Sequence, residues 1–240
     1  MKNSPLVATI VSIFAVVDGR LQVLLVHRTG EPESGKWALP GGLWDCLESL
    51  NEAATRKLVE ETGANDVYLE QLFTSSGLDA SQEMIAVAYF ALVDANDVRL
   101  RQEESWEPAW FPVNELPSLA FDNNRLIDQA VDRIRAKLGY TNIAFGLLPP
   151  EFTIRELQNT YETILGSPLD RRNFRRRMIT TDLIEPTGKA RRDGAHRPAA
   201  TGSAPPHRGS ARWSGFRETP IGTPKGKEFG SCELNNEFLR

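Results

Sequence analysis

Runs of apolar residues in the first part of the chain predict strands of a sheet. Leu6 to Val17 and Leu21 to Val26 are rich in apolar and β-branched residues, and Asp18-Gly19 stands between them. Two such runs across an Asp-Gly turn are typical of a β-hairpin. Further runs at Val67 to Thr74 and Met84 to Val93 predict two more strands.

Two stretches of the same part carry apolar residues at helical spacing. Ser49 and Glu52 have the spacing of a capping box, and Gly63 is a typical stop beyond the last turn. One helix is therefore predicted between them, and a second from Asn123 to Leu138. The apolar stripe of the first is Leu50, Ala54 and Leu58; that of the second is Leu126, Ile127, Ala130, Ile134 and Leu138.

Residues 139–152 are predicted to be a junction, because the chain beyond them has a different character. Thr153 and Glu156 form a second capping box, and Gly166 is placed to end the helix that they begin. A short turn then leads to another helix. The apolar stripe of the capped helix is Leu157, Tyr161, Ile164 and Leu165.

The helix after that turn is rich in arginine. It is predicted to run from Arg171 to about Leu183, with Asp170 as its cap. A turn is predicted to begin in the segment 185–189, and basic residues follow. The inward side is predicted to be Phe174, Met178 and Ile179 or Leu183, and the outward side Arg172, Asn173 and Arg176, flanked by Arg175 and Arg177.

Two short helices joined by a tight turn, the second rich in arginine, and then a basic hairpin predict a winged helix-turn-helix. The second helix of such a fold lies in the major groove, where Arg and Asn donate to guanine and adenine edges. Basic residues of the wing contact phosphate. RNA binding and simple solvation are alternatives for an arginine-rich helix by itself. The predicted DNA contacts are Arg171, Arg172, Asn173, Arg175, Arg176, Lys189, Arg191 and Arg192.

The distribution of charge favours two domains with different partners. The net charge is −4 over 240 residues, but residues 1–150 hold 12 basic and 21 acidic residues, whereas residues 151–240 hold 16 basic and 11 acidic ones. A basic part joined to an acidic part favours a polyanionic partner for the basic one.

Other features indicate the compartment. No apolar run reaches the roughly 18 residues of a membrane span, so no membrane contact is expected. Leu6 to Val17 could form the core of a signal peptide, but the turn and the second apolar run directly after it favour a strand. Cys46 and Cys232 offer no disulfide framework and fit a reducing cytoplasm.

Charged residues around the helix predicted at 50–62 follow a spacing that a merely solvated face does not require. Gly42 is followed after five residues by a Glu, after seven more by an Arg, and then by a Glu pair and a Gly. This spacing resembles the Nudix box, G-x5-E-x7-R-E-U-x-E-E-x-G-U, where U is bulky and apolar. The resemblance covers roughly residues 5 to 140 and implies an α/β fold, the Nudix αβα sandwich. The matching residues are Gly42, Glu48, Arg56, Leu58, Glu60, Glu61 and Gly63.

The box departs from the family at Lys57, where Nudix proteins have a glutamate. In Nudix hydrolases that glutamate and the last glutamate of the pair ligate a divalent metal across a diphosphate. Mg²⁺ prefers carboxylate oxygens, and an ammonium can only donate. Lys57 also lies four residues before Glu61, within reach of an ion pair. We therefore expect no catalytic residues, no required cofactor and at most weak Mg²⁺ binding, at Glu60 and Glu61.

Residues 5–200 as a whole resemble the Nudix-related transcriptional regulators of NAD metabolism, the NrtR family. The closest match is the segment FTIRELQNTYETILGSPLDRRNFRRRMITTDLIEPTGKARRDGAHRPA. The resemblance implies a homodimeric repressor of NAD biosynthesis or salvage genes, which binds double-stranded operator DNA and is relieved by ADP-ribose. Some relatives sense sugars instead. It implies a Nudix-like sensor at residues 1–140, a junction at 141–152 and a winged helix-turn-helix at 153–200. Effector contacts are expected at Arg28, Lys36, Trp37 and Glu61, with Arg28 able to hold a phosphate.

The sequence departs from the family pattern from Thr201 onward. Residues 201–240 are rich in Pro, Gly, Ser and Arg and lack strand periodicity, so they are expected to be largely disordered. The alternative is a lineage-specific extension that becomes ordered on DNA.

Two other functions stay open. The retained glutamates allow an active ADP-ribose or nucleoside-diphosphate pyrophosphatase with an appended nucleic-acid-binding domain, which Lys57 disfavours. A nucleotide sensor that acts on a protein partner is disfavoured by Arg172, Asn173 and Arg176.

Overall fold

The computed structural model describes residues 6–65, 67–76, 84–100, 107–180, 184–191 and 199–203. The chain divides into two compact units, residues 1–134 and 135–240. None of the helices in these described ranges is long and apolar enough to cross a membrane.

The first unit is built on a seven-stranded mixed sheet. The predicted hairpin is present, and Asp18 and Gly19 at its turn have positive φ angles of 50° and 71°. The elements up to residue 138 are, in chain order, β1 (Leu6–Val17), β2 (Arg20–His27), β3 (Trp37–Ala38), β4 (Gly41–Leu43), α1 (Leu50–Thr62), β5 (Tyr68–Ser76), β6 (Met84–Leu92), β7 (Pro108–Pro112) and α2 (Asn123–Leu138).

The strands in the middle of the sheet are the most buried ones. β1 is the long central strand: it pairs in parallel with β6 and antiparallel with β2 and β4. Residues Val11 to Ala15 of β1 are all buried, so both faces of the sheet are covered there. β5 pairs with the far side of β6, and β3 and β7 pair with β2.

Helix α1 begins and ends where the sequence predicted. The Ser49 side chain accepts from the backbone N–H of Glu52, the Glu52 carboxylate accepts from the backbone N–H of Ser49 at 2.8 Å, and Gly63 follows with φ of 67°. Ala54 and Leu58 are buried in one apolar cluster with odd-numbered residues of β1. This packing fixes the helix that carries the Nudix-like residues against one face of the sheet.

Helix α2 coincides with the predicted range, and all five residues of its predicted apolar stripe are buried. Asn123, its first residue, accepts a hydrogen bond of 2.7 Å from the backbone N–H of Leu39 through its side-chain oxygen. The boundary between the two compact units falls inside this helix, after Ile134.

The second unit contains two short helices and a three-stranded antiparallel sheet. The predicted capping box of Thr153 and Glu156 is present, and Gly166 ends the capped helix with φ of 69°. Its elements beyond α2 are a 3₁₀ helix (Ile143–Leu147), β8 (Glu151–Thr153), α3 (Ile154–Leu165), α4 (Arg171–Thr180), β9 (Glu185–Arg191) and β10 (Ala199–Ser203), and the sheet order is β8-β10-β9.

Some expectations for this unit were wrong. The segment 185–189 belongs to strand β9 and does not begin a turn. The expected disordered tail starts with a strand, because Thr201 to Ser203 belong to β10; residues 204–240 lie outside the described residues. The expected junction, which ends at residue 152, contains the 3₁₀ helix and the first two residues of β8. β10 pairs with both β8 and β9, and none of the three strands has the alternation of apolar and polar residues that predicts a strand from sequence.

Candidate DNA-binding and effector sites

One side of helix α4 is anchored in the core of the second unit. Asp170 Oδ1 accepts from the backbone N–H of Asn173 at 2.8 Å and so caps the helix, as predicted. Phe174 and Met178 are buried, and the ring of Phe174 meets that of Tyr161 on α3 edge-on, with 5.2 Å between centroids. Burial raises the pKa of Tyr161 to about 12, against the opposing charge of Arg177.

The turn from α3 to α4 is held by side-chain hydrogen bonds. Glu162 Oε1 accepts from the backbone N–H of Leu169 at 2.8 Å and from Gln158 Nε2 at 2.9 Å. Gln158 Nε2 also donates to the carbonyl of Leu169 at 3.0 Å. These bonds fix the angle between the two helices.

Arg177 contacts the protein itself. It was expected to flank the outward side of α4, but its guanidinium donates to the carbonyl of Gly139, just beyond α2, at 2.7 Å, and the residue is half-buried. This bond ties the C-terminal half of α4 to the rest of the unit, so the expectation for Arg177 was wrong.

The outward side of α4 brings together five of the predicted DNA contacts. Arg176 NH2 donates to Asn173 Oδ1 at 3.3 Å, so these two side chains are oriented together. The helix is described to Thr180, and Leu183 lies outside the described residues. The exposed predicted contacts on α4 are Arg171, Arg172, Asn173, Arg175 and Arg176.

The third residue of the inward side was expected to be Ile179 or Leu183, and the first alternative was wrong: the Ile179 side chain is 54% exposed. Met178 follows Phe174 by four residues, which is about 40° around a helix, whereas Ile179 follows it by five, which is about 140°. Helical spacing alone therefore places Ile179 on the exposed side of α4. Its placement on the inward side relied on its apolar character.

Strands β9 and β10 form the hairpin expected of a wing. Thr187 Oγ1 donates to the carbonyl of Thr201 at 3.2 Å, and the two threonine hydroxyls are 2.5 Å apart. Lys189 and Arg191 lie on β9. Arg192 lies outside the described residues.

The Nudix-like residues form a compact network of ion pairs. Arg56 donates to Glu48 Oε1 from Nε at 3.1 Å and to Glu60 Oε1 from NH1 at 3.0 Å. Lys57 Nζ donates to Glu60 Oε2 at 2.8 Å. Lys57 was expected to pair with Glu61; its observed bond is to Glu60, one residue earlier, which an i, i+3 spacing on a helix allows.

The charges of this network bear on metal binding. Burial acts to raise the pKa of Glu60, but the hydrogen bonds from Lys57 and Arg56 outweigh it, so the pKa lies below its ordinary value. Both oxygens of Glu60 already accept from cations. In the part of the chain that the structure describes, no group of three or more His, Cys, Asp or Glu side chains could hold a metal ion. A divalent metal at Glu60 would therefore have to displace Arg56 and Lys57 from that carboxylate.

Two of the four expected effector contacts, Arg28 and Lys36, lie on the connection between β2 and β3, and a third, Trp37, is the first residue of β3. Arg28 donates to the carbonyl of Pro32 from Nε at 3.2 Å and from NH2 at 2.9 Å, and its guanidinium lies 4.9 Å from the ring centroid of Phe121. Lys36 pairs with Glu33. Trp37 packs edge-on between the rings of two other side chains, 5.2 Å from that of His27 and 4.7 Å from that of Phe111.

The fourth expected contact, Glu61, is fully buried on α1. Sequence reasoning missed Phe121, because 93 residues separate it from Arg28 and no local pattern connects them. Effector binding by these side chains stays a prediction.

Comparison with known proteins agrees with this two-part architecture. Residues 7–130 match the NUDIX domain family and residues 144–201 match the NrtR DNA-binding winged helix domain. The ADPR responsive transcriptional repressor NtrR of Acinetobacter baylyi is 39% identical over 202 residues, which is 82% of this chain and 80% of that protein. The crystal structure of Shewanella oneidensis NrtR complexed with a 27mer DNA has a TM-score of 0.75 at 34% identity and covers 83% of this chain and 93% of that one.

A weaker similarity concerns the first unit alone. An ADP-ribose pyrophosphatase of Methanocaldococcus jannaschii is 29% identical over 119 residues, which is 49% of this chain and 70% of that protein.

A Nudix domain followed by a winged helix domain, with an arginine-rich second helix, defines the class of Nudix-related transcriptional regulators. The chain belongs to the NrtR family of repressors in this class. The expected fold, a Nudix αβα sandwich followed by a winged helix-turn-helix, is confirmed.

Proposed function

We propose that this protein is a homodimeric repressor that binds double-stranded operator DNA at NAD biosynthesis or salvage genes and leaves it when ADP-ribose binds the Nudix domain. The observation that carries this proposal is the way in which α4 packs against the core of the second unit. Phe174 and Met178 hold one side of the helix in the core, while the opposite side exposes arginine and asparagine. A helix held in this way enters the major groove without losing its own packing.

The side chains of α4 suit two kinds of DNA contact. Arg172 and Arg176 are one turn apart on the exposed side, and a bidentate Arg–guanine contact contributes about 1–3 kcal/mol of discrimination between bases. In a homodimer, two such helices read half-sites about one helical turn, or a multiple of it, apart. The contacts proposed for phosphates are Arg171, Arg175, Lys189, Arg191 and Arg192, and Asn173 is proposed to contact an adenine edge.

The proposed effector is ADP-ribose, which the name of the Acinetobacter relative gives as the signal for that repressor. The charges around Glu60 support binding of a diphosphate without metal. The Lys57 ammonium, with a side chain only 18% exposed, stands in the Nudix box where hydrolases have a carboxylate. A diphosphate that replaces Glu60 as its partner needs no bridging cation. The other proposed contacts are Arg28, Lys36, Trp37 and Glu61.

Release of DNA requires a difference in effector affinity between two arrangements of the protein. ADP-ribose must bind the arrangement that does not bind DNA more tightly than the one that does, because equal affinities shift nothing. A coupling of about 1–3 kcal/mol produces a 5–150-fold loss of DNA affinity. Linkage then requires DNA to weaken ADP-ribose binding by the same factor.

The test is a titration of an operator duplex with the full-length protein. Bound sites are first selected from genomic fragments, and the genes that flank them are identified. The dissociation constant is then measured at fixed salt, with and without saturating ADP-ribose, once in Mg²⁺ and once in EDTA. We expect the dissociation constant of the protein–DNA complex to be at least fivefold larger when ADP-ribose is present, in both buffers. An unchanged constant removes ADP-ribose as the effector, and failure to select any duplex removes the repressor assignment.

A second candidate function is an active ADP-ribose pyrophosphatase with an appended nucleic-acid-binding domain. It is favoured by the retention of Glu48, Glu60 and Glu61 and by the similarity of the first unit to the Methanocaldococcus enzyme. The ion pairs of Glu60 oppose it, since Mg²⁺ would have to displace Arg56 and Lys57 from that carboxylate. Release of AMP from ADP-ribose distinguishes the two candidates.

A further inference from the structure

Ile179 interrupts an otherwise polar surface on α4. Between Arg171 and Thr180 it is the one apolar residue on the exposed side, and its side chain is 54% exposed. It follows Arg176 by three residues and Arg172 by seven, so the three side chains share one strip of the helix.

Exposure by itself does not make Ile179 a recognition residue, because single apolar residues are common on protein surfaces. Its position is the informative observation. The strip that it shares with Arg172 and Arg176 is the one proposed to face base edges, and Phe174 and Met178 prevent the helix from turning Ile179 inward. When α4 lies in the major groove, the Ile179 side chain therefore contacts the edges of the base pairs.

The major groove presents one apolar group, the 5-methyl of thymine, and apolar side chains contact it there. We propose that Ile179 is a specificity-determining residue that packs against a thymine methyl in the operator; this inference rests on the proposed DNA binding. Seven residues of helix span about 10 Å, and base pairs are spaced by about 3.4 Å. The thymine therefore lies within about three base pairs of the base that Arg172 contacts.

The experiment is a scan of the selected operator in which each thymine is replaced singly by deoxyuridine, which removes only the methyl group. Affinities are measured for the full-length protein and for Ile179→Ala, Ile179→Val and Leu47→Ala. Leu47 is the matched control, because it is 90% exposed and lies in the loop before α1. Thermal melting and sizing of each variant show whether its fold and oligomeric state match those of the unmodified protein.

We expect one thymine per half-site at which deoxyuridine weakens the unmodified protein by about three- to fivefold, the effect of one buried methyl group. Ile179→Ala should weaken binding to the thymine operator by a similar or larger factor and lose its sensitivity to deoxyuridine at that position alone. Ile179→Val should keep part of the sensitivity, and Leu47→Ala all of it.

Three results would overturn the inference while leaving DNA binding intact. One is that replacing thymine by deoxyuridine weakens DNA binding by Ile179→Ala and by the unmodified protein by the same factor at every position. Another is unchanged affinity of Ile179→Ala. The third is an altered oligomeric state of Ile179→Ala, which would assign the side chain to a contact between copies of the chain. If no duplex is bound selectively at all, the proposed function itself fails.

Discussion

The Lys57 ammonium donates a hydrogen bond of 2.8 Å to Glu60 Oε2, next to the bond of 3.0 Å that Arg56 donates to the other oxygen of the same carboxylate. Lys57 stands at a position where Nudix hydrolases have a metal-binding glutamate. One substitution therefore has two effects: it removes a ligand, and it supplies a cation that occupies a neighbouring carboxylate.

The first prediction is that hydrolysis of ADP-ribose with Mg²⁺ is very slow or absent, and that Lys57→Glu raises affinity for the metal. The variant adds a carboxylate and frees one oxygen of Glu60. Titration calorimetry with Mn²⁺ and release of AMP measure the two properties. Lys57→Met is the control, because it removes the charge without adding a ligand. Robust turnover by the unmodified protein would favour the pyrophosphatase instead.

The second prediction separates base contacts from phosphate contacts. Arg172→Ala should cost about 1–3 kcal/mol at the operator and relax specificity at one base pair. Lys189→Ala should weaken binding to all sequences and reduce the salt slope by about 1. Arg125→Ala, which removes an exposed arginine of the first unit, is the control. Equal losses at operator and random DNA for Arg172→Ala would show that this arginine contacts phosphate.

The third prediction compares two arginines of α4 that differ in partner. Arg177 donates to the carbonyl of Gly139, whereas Arg175 is exposed. Arg177→Met should lower the melting temperature and the DNA affinity together and leave the salt slope unchanged. Arg175→Met should leave the melting temperature unchanged and reduce the slope by about 0.9, the value for one phosphate contact. The idea fails if Arg177→Met alters the salt slope as Arg175→Met does.

The sequence was sufficient wherever the determinants of structure are local. The helix α1 lies between the capping pair Ser49 and Glu52 and the stop at Gly63, and all of these are encoded within 15 consecutive residues. The capping box and the glycine stop of α3 are local in the same way, and so is the apolar spacing that predicted the buried stripe of α2. Local caps and a single apolar stripe leave few alternatives to a helix.

The sequence was insufficient where the determinants are distant or depend on side-chain geometry. β10 is fixed by pairing with β8, which is 48 residues earlier at Thr201 and Thr153, and its own residues have no strand pattern. The contact of Arg28 with Phe121 is equally non-local. On α1, spacing allows Lys57 to reach Glu60 or Glu61, and only the folded side chains show its bond to Glu60.

The last prediction concerns β10, which lies between the other two strands of its sheet. Thr201 pairs with Thr153 of β8, and Thr153 in turn caps α3, while Gly202 pairs with Pro186 of β9. Removing β10 therefore leaves two strands without a partner and exposes the N-terminal cap of α3. Two truncated chains test this, one ending at residue 203 and one at residue 198. Both lack the same tail, so any difference between them belongs to β10.

The chain that ends at residue 198 should melt at least about 4 °C lower than the chain that ends at residue 203, since about 1 kcal/mol shifts a domain of this size by about 4–8 °C. It should also bind DNA more weakly, because the wing has lost one strand. The point variant Thr201→Val, in the chain that ends at residue 203, keeps the backbone ladder and removes the hydroxyl that lies 2.5 Å from Thr187 Oγ1. Its expected loss is about 1 kcal/mol, that of one hydrogen bond. Identical melting of the two truncated chains would show that β10 does not stabilise the domain.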